Sequence, residues 1–544
     1  MSLLRSTFAF STMTLVSRIL GLARDVVLAS GFGASRATDA FFVAFKIPNF
    51  LRRLFAEGSF SLAFVPVLSE YRERKDHAAL KSLIDATAGS LIAVLLALTA
   101  IGVLAAPALI TIFAPGFADE PEQQRLAGEM LRITFPYLLF VALTALAGGI
   151  LNSLGRFAIP ALTPALLNVS LIVAALGFSS RFEEPVKALA WGVLVAGILQ
   201  LIVQLPVLAR HRVLPIPRPN FAHPGVRRIL KLMVPTLFGS SVAQINLLFD
   251  VLIASLLVEA SISWLYYGDR LMEFPLGLFG VALSVVILPT LSSQHARASH
   301  ADFRATLDWA VTLGWLIALP AAVGLAALAA PIAATLFGYG AFGHEDVRMT
   351  ALALIAYCAG LPAFIGVKIL APGFYARQNT STPVRIAIVA LVANMGMNIV
   401  FVVALTAWLS GGRFEGGLFD ALAANPGAHV GLAAASSAAA WLNAGLLWRH
   451  LARDRLGPRP MSRAVWLSPV AALAMGAVVV VMAPPGIEWL NWPLAQRLAW
   501  LTGLILAGAL VYAAILLAGG IRPGQVAKPI SVSIDASGPS REDR

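Results

Sequence analysis

Cysteine is nearly absent from this chain. Cys358 is the only one in 544 residues, which excludes an intrachain disulfide framework and a thiolate metal site; lying in an apolar run, it reads as a packing residue. Charge is also scarce, at 12% of residues against 58% hydrophobic and a mean hydropathy of +0.81. Soluble domains carry about twice as much charge, so that class is excluded. The eight histidines fall in loops or at helix ends, and no two have the i, i+4 spacing of a helical metal site. No nucleophile, base and orienting group can be assembled into a catalytic cluster, so no enzyme chemistry is read. Gly31 and Gly33 in "GFGAS" follow no strand and precede no Gly-Lys-Ser/Thr, and they read as a turn rather than a phosphate loop.

Long apolar runs are abundant instead. About fourteen of them, each long enough to cross a hydrocarbon core of about 30 Å, follow one another along the chain. The first two lie near 7–32 and 37–66, the seventh and eighth near 228–257 and 262–292, the eleventh near 383–409, and the last two near 464–484 and 497–519. The expected fold is an all-α polytopic membrane protein of about fourteen transmembrane helices. The first run is long, charged and without a small-residue cleavage pattern, so no cleavable signal is expected.

Lys and Arg sort cleanly among the connections. Basic loops hold Arg72, Arg74, Lys75 and Lys81; Arg210, Arg212, Arg218, Arg227, Arg228 and Lys231; Arg297 and Arg304; and Arg449, Arg453, Arg455, Arg459 and Arg463. The loops between them hold about one or none, such as Arg125, Arg348, Arg413 and Arg497. Cytoplasmic loops retain the basic excess, so both termini are expected in the cytoplasm. The net charge of +12 then reflects topology and contact with the phospholipid membrane, and no nucleic-acid partner is expected.

The chain also repeats itself. "DVVLAS" from Asp25 returns as "DVLIAS" from Asp250, "VPVLSE" around Pro66 as "LPTLSS" around Pro289, and Pro160 has its counterpart in Pro383. These matches share nearly one offset, which implies two parallel six-helix repeats related by an axis along the membrane normal. The expected division is an N-terminal six-helix lobe over 1–210, a C-terminal six-helix lobe over 211–456, two additional helices over 457–520 forming a lipid-tail groove, and a cytoplasmic polar tail over 521–544.

Charges interrupt the early spans of both repeats. Ser11, Thr14, Arg18, Gly21 and Asp25 share one helix face with Ser17 and Arg24 on its flank, and the second span adds Asp39, Lys46, Asn49, Arg52, Arg53 and Glu57, with a kink expected at Pro48. The eighth span places Asp269, Glu273, Gly277, Gly280 and Ser284 on one face beside Arg270, with a second kink expected at Pro275. A charge at membrane depth costs at least about 2.5 kcal/mol on insertion scales, so such a concentration implies a hydrated cavity. Arg36, Lys46, Arg53 and Glu57, nearer the span ends, also fit snorkelling or structural pairing. Arginine suits phosphate through its planar, permanently charged fork, and the carboxylates are expected to hold the arginines while the cavity is empty.

At "SRILGLARD", "ATDAFFVAFKIPNFLRRLFAEGSFSLAFVPVLSEY", "GDRLMEFPLGLFGVALSVVILPTLS" and "ILAPGFYARQNTSTPVR" the sequence resembles the MurJ (MviN) lipid II flippases of the multidrug, oligosaccharidyl-lipid and polysaccharide exporter superfamily, over essentially the whole chain. The resemblance implies two six-helix lobes around a cavity, two further helices lining a lipid-facing groove, and residence in the bacterial inner membrane. It implies alternating-access transfer of lipid II, an undecaprenyl-diphosphate disaccharide pentapeptide, from the cytoplasmic to the periplasmic leaflet during peptidoglycan synthesis. The positions matching the family's cavity residues are Arg18, Arg24, Asp25, Asp39, Arg52, Asp269, Arg270 and Glu273. Cell-wall synthesis proteins are the partners such a role suggests, and an inside-negative membrane potential would assist an anionic cargo by about 2.3 kcal/mol per charge per 100 mV.

Two other readings compete. A drug or cation antiporter would want aromatic and acidic cavity residues, and a non-transporting scaffold for cell-wall enzymes would not need buried charge in both repeats. Asp250, Asn394 and Asn398 admit two roles: a sodium site of hard oxygens, in a region that some family members use for that ion, or a hydrogen-bonded polar contact between helices. No other cofactor is expected.

Overall fold

A computed structural model describes residues 3–53, 60–74, 76–412, 414, 416–459, 461–522 and 524. Every regular element among them is helical. Glu57 and the tail over 525–544 lie outside the described residues, as do the side chains of Ser11 and Thr14.

Among the described residues, 11 helices are long and apolar enough to cross a membrane. They coincide with the sequence runs except for the first, second and seventh. The first run lies within the helix Leu3–Phe32, which carries Arg18, Arg24 and Asp25. The second run contains Arg36–Arg52 and Ser61–Arg74, with 54–59 outside the described residues, and the seventh lies within Pro224–Ser255.

By packing, the chain forms two compact units whose limits fall inside long helices rather than at the ends of the sequence repeats. The first comprises Met1–Tyr267, Leu336–Thr350 and Asn398–Leu432. In it, Leu3–Phe32 ends at Gly33, whose φ of 65° is a left-handed value that glycine adopts without strain. Ser35 then caps Arg36–Arg52, its hydroxyl accepting from the Thr38 N–H at 3.3 Å. "GFGAS" is therefore a helix stop followed by a helix start. Pro48 has no N–H to offer the Ala44 carbonyl one turn earlier. Thr134, on Pro121–Thr134, supplies the missing donor at 2.8 Å. Phe60, Phe64, Leu83, Ile84 and Leu151 form the centre of a large apolar core beneath these helices.

The second unit comprises Gly268–Thr335, Ala351–Met397 and Ala433–Arg544. At Pro275 the helix passes into a π-helical turn, Leu276–Gly280, before continuing as Val281–Ala296, which is the kink that the proline dictates. Near Pro362 a neighbouring helix donates to backbone carbonyls, Ser437 to that of Ala356 at 2.7 Å and the Trp441 indole to that of Ala359 at 2.9 Å. The helix Ser462–Met482 packs on both His300–Ala327 and Leu494–Ala518. Tyr512 ties the three together, donating to the Leu316 carbonyl at 2.8 Å and lying 2.7 Å from the Ser468 hydroxyl. Buried Arg497 closes the other end of this assembly by donating to the carbonyls of Ala334, Leu490 and Trp492.

Candidate functional site

The first unit gathers its buried charge around Arg24 and Asp25, which are 5% and 3% exposed. Consecutive residues normally diverge around a helix, but the long guanidinium bends back over its neighbour. Arg24 Nη2 and Nε reach Asp25 Oδ1 at 2.5 and 2.9 Å. Nη1 donates to Asn168 Oδ1 at 3.0 Å and Nη2 also to the Tyr266 hydroxyl at 2.9 Å. That hydroxyl donates to Asp25 Oδ1 at 2.8 Å, closing a triangle. Burial without these partners would be prohibitive for either charge.

Two of the anchors were not legible as site residues. Asn168 lies in the apolar run "ALLNVSLIV", where a lone amide reads as a helix contact; its nitrogen holds the Ser17 carbonyl at 3.1 Å, so it does make that contact while its oxygen serves Arg24. Tyr266 looks like core, and its ring does stack on Phe42 at 4.0 Å while its hydroxyl joins the charges. Its place three residues before Asp269 was the available signal.

Elsewhere the expected face is uneven. Arg18 is exposed, so the polar surface of the opening helix changes from open to enclosed over two turns. Arg52 donates from Nε to Asn49 Oδ1 at 2.7 Å, just beyond the Pro48 kink. Asp39 departs from the role expected of a carboxylate beside arginines. Its Oδ1 accepts from the Ser263 amide at 2.8 Å and hydroxyl at 2.5 Å, so it caps the start of Ser261–Pro275. The short helical spacing and the free N–H groups of that terminus explain the choice. Arg36 sits outside the enclosed charges and is half-exposed, bridging Glu259 at 2.8 Å and Glu120 at 2.7 Å, as its place at a span end allows.

In the second unit Arg270 Nη1 meets Glu273 Oε2 at 2.9 Å, both half-exposed, one turn before the Pro275 kink. Asp269 lies beside them in sequence on the same helix.

Asp250 accepts from Asn398 Nδ2 at 2.7 Å and from Asn246 Nδ2 at 3.2 Å. Asn246 was not foreseen, although it is one turn from Asp250 on the same helix. Asn398 Oδ1 is buried without a donor, and Asn394 lies one turn before it on Ser381–Leu409. This arrangement makes the polar contact between helices directly, and the Asn398 amide oxygen is of the hard type that a sodium ion accepts.

The model of the family described as "Lipid II flippase MurJ" matches residues 28–490. A Vibrio cholerae protein named "Probable lipid II flippase MurJ" is 45% identical, the alignment covering 96% of this chain and 97% of that one. "Lipid II flippase MurJ" of Burkholderia cenocepacia is 46% identical over 74% of this chain and 79% of its own. Among solved structures, a lipid II flippase MurJ in an inward closed conformation superposes with a TM-score of 0.75 at 28% identity, covering 93% of this chain and 97% of that one. An inward-facing multidrug transporter of the MATE family, at 15% identity with a TM-score of 0.65 over 82% of this chain and 98% of its own, shares the fold. The arginine-rich charge of the opening spans and the match along nearly the full chain agree: the protein belongs to the MurJ lipid II flippase family.

Proposed function

We propose that this protein carries lipid II from the cytoplasmic to the periplasmic leaflet by alternating access. The observation that carries the reading is Arg24, a buried guanidinium whose Nε, Nη1 and Nη2 are all engaged by groups of its own chain. A diphosphate is a bidentate acceptor that can replace the Asp25 carboxylate on that fork. The residues proposed to meet the head group are Arg18, Arg24, Asp25, Asp39 and Arg52 in the first unit and, separately, Asp269, Arg270 and Glu273 in the second. The polyprenyl tail stays in lipid, with Ser462–Met482 and Leu494–Ala518 as its groove. A hydrated sugar–diphosphate head crosses a bare bilayer only at great desolvation cost, and the protein's polar groups substitute for water along the way.

The same reading takes Leu3–Phe32, the chain from Arg36 to Arg74 and Pro224–Ser255 as the three further crossings that complete fourteen. It includes parallel six-helix lobes over 1–210 and 211–456, cytoplasmic termini, and an inside-negative potential as the driving force. Asp250 with Asn398, and Asn394 one turn away, is the place proposed for a sodium ion. Cell-wall synthesis proteins are proposed as neighbours. The deciding experiment is flipping of labelled lipid II by purified protein in vesicles, with and without an imposed potential. Transfer that depends on the protein and quickens with an inside-negative potential is expected; full activity towards cationic drugs with none towards lipid II would overturn the proposal.

A further inference from the structure

The segment that leaves the short helix Leu205–Arg210 is held against the protein by its backbone. The helix stops in a hydrogen-bonded motif in which the Val213 N–H reaches back to the Leu208 carbonyl at 3.1 Å and that of Arg212 to Ala209 at 3.0 Å. Leu208 and Val213, both buried in the same core, supply the apolar contact that accompanies such a stop. Its left-handed position is ordinarily glycine. Here it is Arg212, with φ of 57° and an exposed side chain. A strained residue kept at a glycine position points to a use for its side chain.

Beyond it runs "VLPIPRPN". Pro215, Pro217 and Pro219 have no N–H, and the alternate residues use theirs inward on the helix His77–Leu104. The Ile216 amide donates to Asp85 Oδ1 at 2.8 Å, that of Arg218 to the Asp85 carbonyl at 3.2 Å, and that of Asn220 to Ser90 Oγ at 3.1 Å. Lys81 pairs with Asp85 and balances its charge. Gly89 leaves room for the Arg218 backbone, which a side chain there would displace. With the backbone fastened, the exposed side chains face away: Arg210 and Arg212 precede Leu214 and Ile216, and Arg218 precedes Phe221, Ile216 being 53% and Phe221 46% exposed.

We propose that residues 210–221 form a fixed seat for anionic phospholipid head groups at the cytoplasmic surface of the membrane. The strap lies on the early turns of a membrane-crossing helix, on the side where the basic loops gather. Guanidinium groups there meet the phosphates, and the interleaved apolar side chains enter the boundary between head groups and acyl chains. That mixture distinguishes a lipid from a free phosphate, which has nothing for Ile216 and Phe221 to bury. The seat is independent of what the protein transports.

The test is the melting temperature of the full-length purified protein, titrated with short-chain phosphatidylglycerol, short-chain phosphatidylcholine or glycerol 3-phosphate. Phosphatidylglycerol alone should stabilise it, with affinity falling about fivefold for each Arg→Gln change at 210, 212 or 218 and falling again in high salt. Arg212→Gly is the sharpest arm. Glycine relieves the backbone, so melting without lipid should shift upward while phosphatidylglycerol affinity falls about fivefold. Phe221→Ser should weaken the lipid response and leave the charge intact. Unchanged phosphatidylglycerol affinity in Arg212→Gly and the triple Arg→Gln variant overturns the proposal, as does equal stabilisation by glycerol 3-phosphate, which would mean a simple anion site. A basic docking surface for a cytoplasmic protein would likewise leave the lipid response of these variants unchanged.

Discussion

The Thr134 hydroxyl lies 2.8 Å from the Ala44 carbonyl, the one acceptor that Pro48 strips of its helical donor. A kinked helix inside a membrane must find such a replacement, because water is absent there. The pairing joins Pro121–Thr134 to the turn before Pro48, with Lys46 and Arg52 on either side of the proline. Thr134→Val keeps the shape and removes the donor. It should destabilise the protein by about 1 kcal/mol and slow flipping, while Thr134→Ser should behave nearly as the parent. Thermal unfolding of the three proteins in one detergent checks this; a Val variant as stable as the parent would show that the carbonyl has another donor.

The loss of a helical donor at Pro48 is readable in the sequence, because proline has no N–H. Thr134 is not, since a threonine 86 residues away in sequence carries no sign of its partner. The same division runs through the charged site. Arg24 and Asp25 stand out from an apolar run on composition alone, whereas Asn168 and Tyr266 each look like ordinary interior residues. Asp39 shows the converse: its charge is legible and suggests an arginine partner, but the Ser263 amide and hydroxyl at the start of Ser261–Pro275 take it. Apolar length gave the extents of the 11 long apolar helices among the described residues, because each is a run of about twenty residues with few charges.

The Arg24 fork should be irreplaceable by charge alone. Arg24→Ala is expected to abolish lipid II translocation at normal expression. Arg24→Lys should rescue poorly, because one ammonium cannot serve Asp25, Asn168 and Tyr266 in the same geometry. Arg270→Ala should also abolish transfer. Vesicle flipping rates settle the matter, and near-parental rates for both alanine variants would sink the site assignment.

Sodium is expected to stabilise the purified protein against heat relative to potassium, and Asp250→Ala should erase the difference. Asn398→Asp adds a second carboxylate beside the first; without a cation the two repel, so this variant should depend more strongly on sodium than the parent. Identical melting in the two salts for both proteins would leave Asp250 with its hydrogen-bonding role only.

His223 offers a pH test outside the membrane. Its Nδ1 accepts from the Gly225 N–H at 3.1 Å and so caps Pro224–Ser255, a role open only to the neutral ring. Partial burial lowers its pKa below the ordinary histidine value. The unfolded chain therefore binds the proton more readily. The contribution to stability is complete above an unfolded pKa of about 6.5 and is lost as pH falls through the lower folded value. His223→Asn keeps a cap and should flatten this part of the stability–pH curve; His223→Ala should lose about 1 kcal/mol at neutral pH. A parental slope in the Asn variant would assign the acid sensitivity to other groups.

The last two spans provide the test of tail length. Met482, Ala499, Trp500, Gly503 and Leu504 line a mostly apolar pocket on them, and a side chain at Gly503 would enter open space. Gly503→Leu is therefore a suitable obstruction: it adds helix propensity and bulk at a position where a Cβ meets no neighbour. If the polyprenyl tail of the substrate lies in this groove, the variant should weaken binding of long-chain lipid II several-fold more than that of a short-chain analogue with the same head group. The alternative is that these helices brace the fold, a role already supported by Tyr512 and Arg497. In that case Gly503→Leu should affect both chain lengths alike, and Tyr512→Phe should lower thermal stability without changing the ratio between them. Competition binding with the two analogues separates the cases, because a bracing defect moves both affinities together and an obstructed groove moves one.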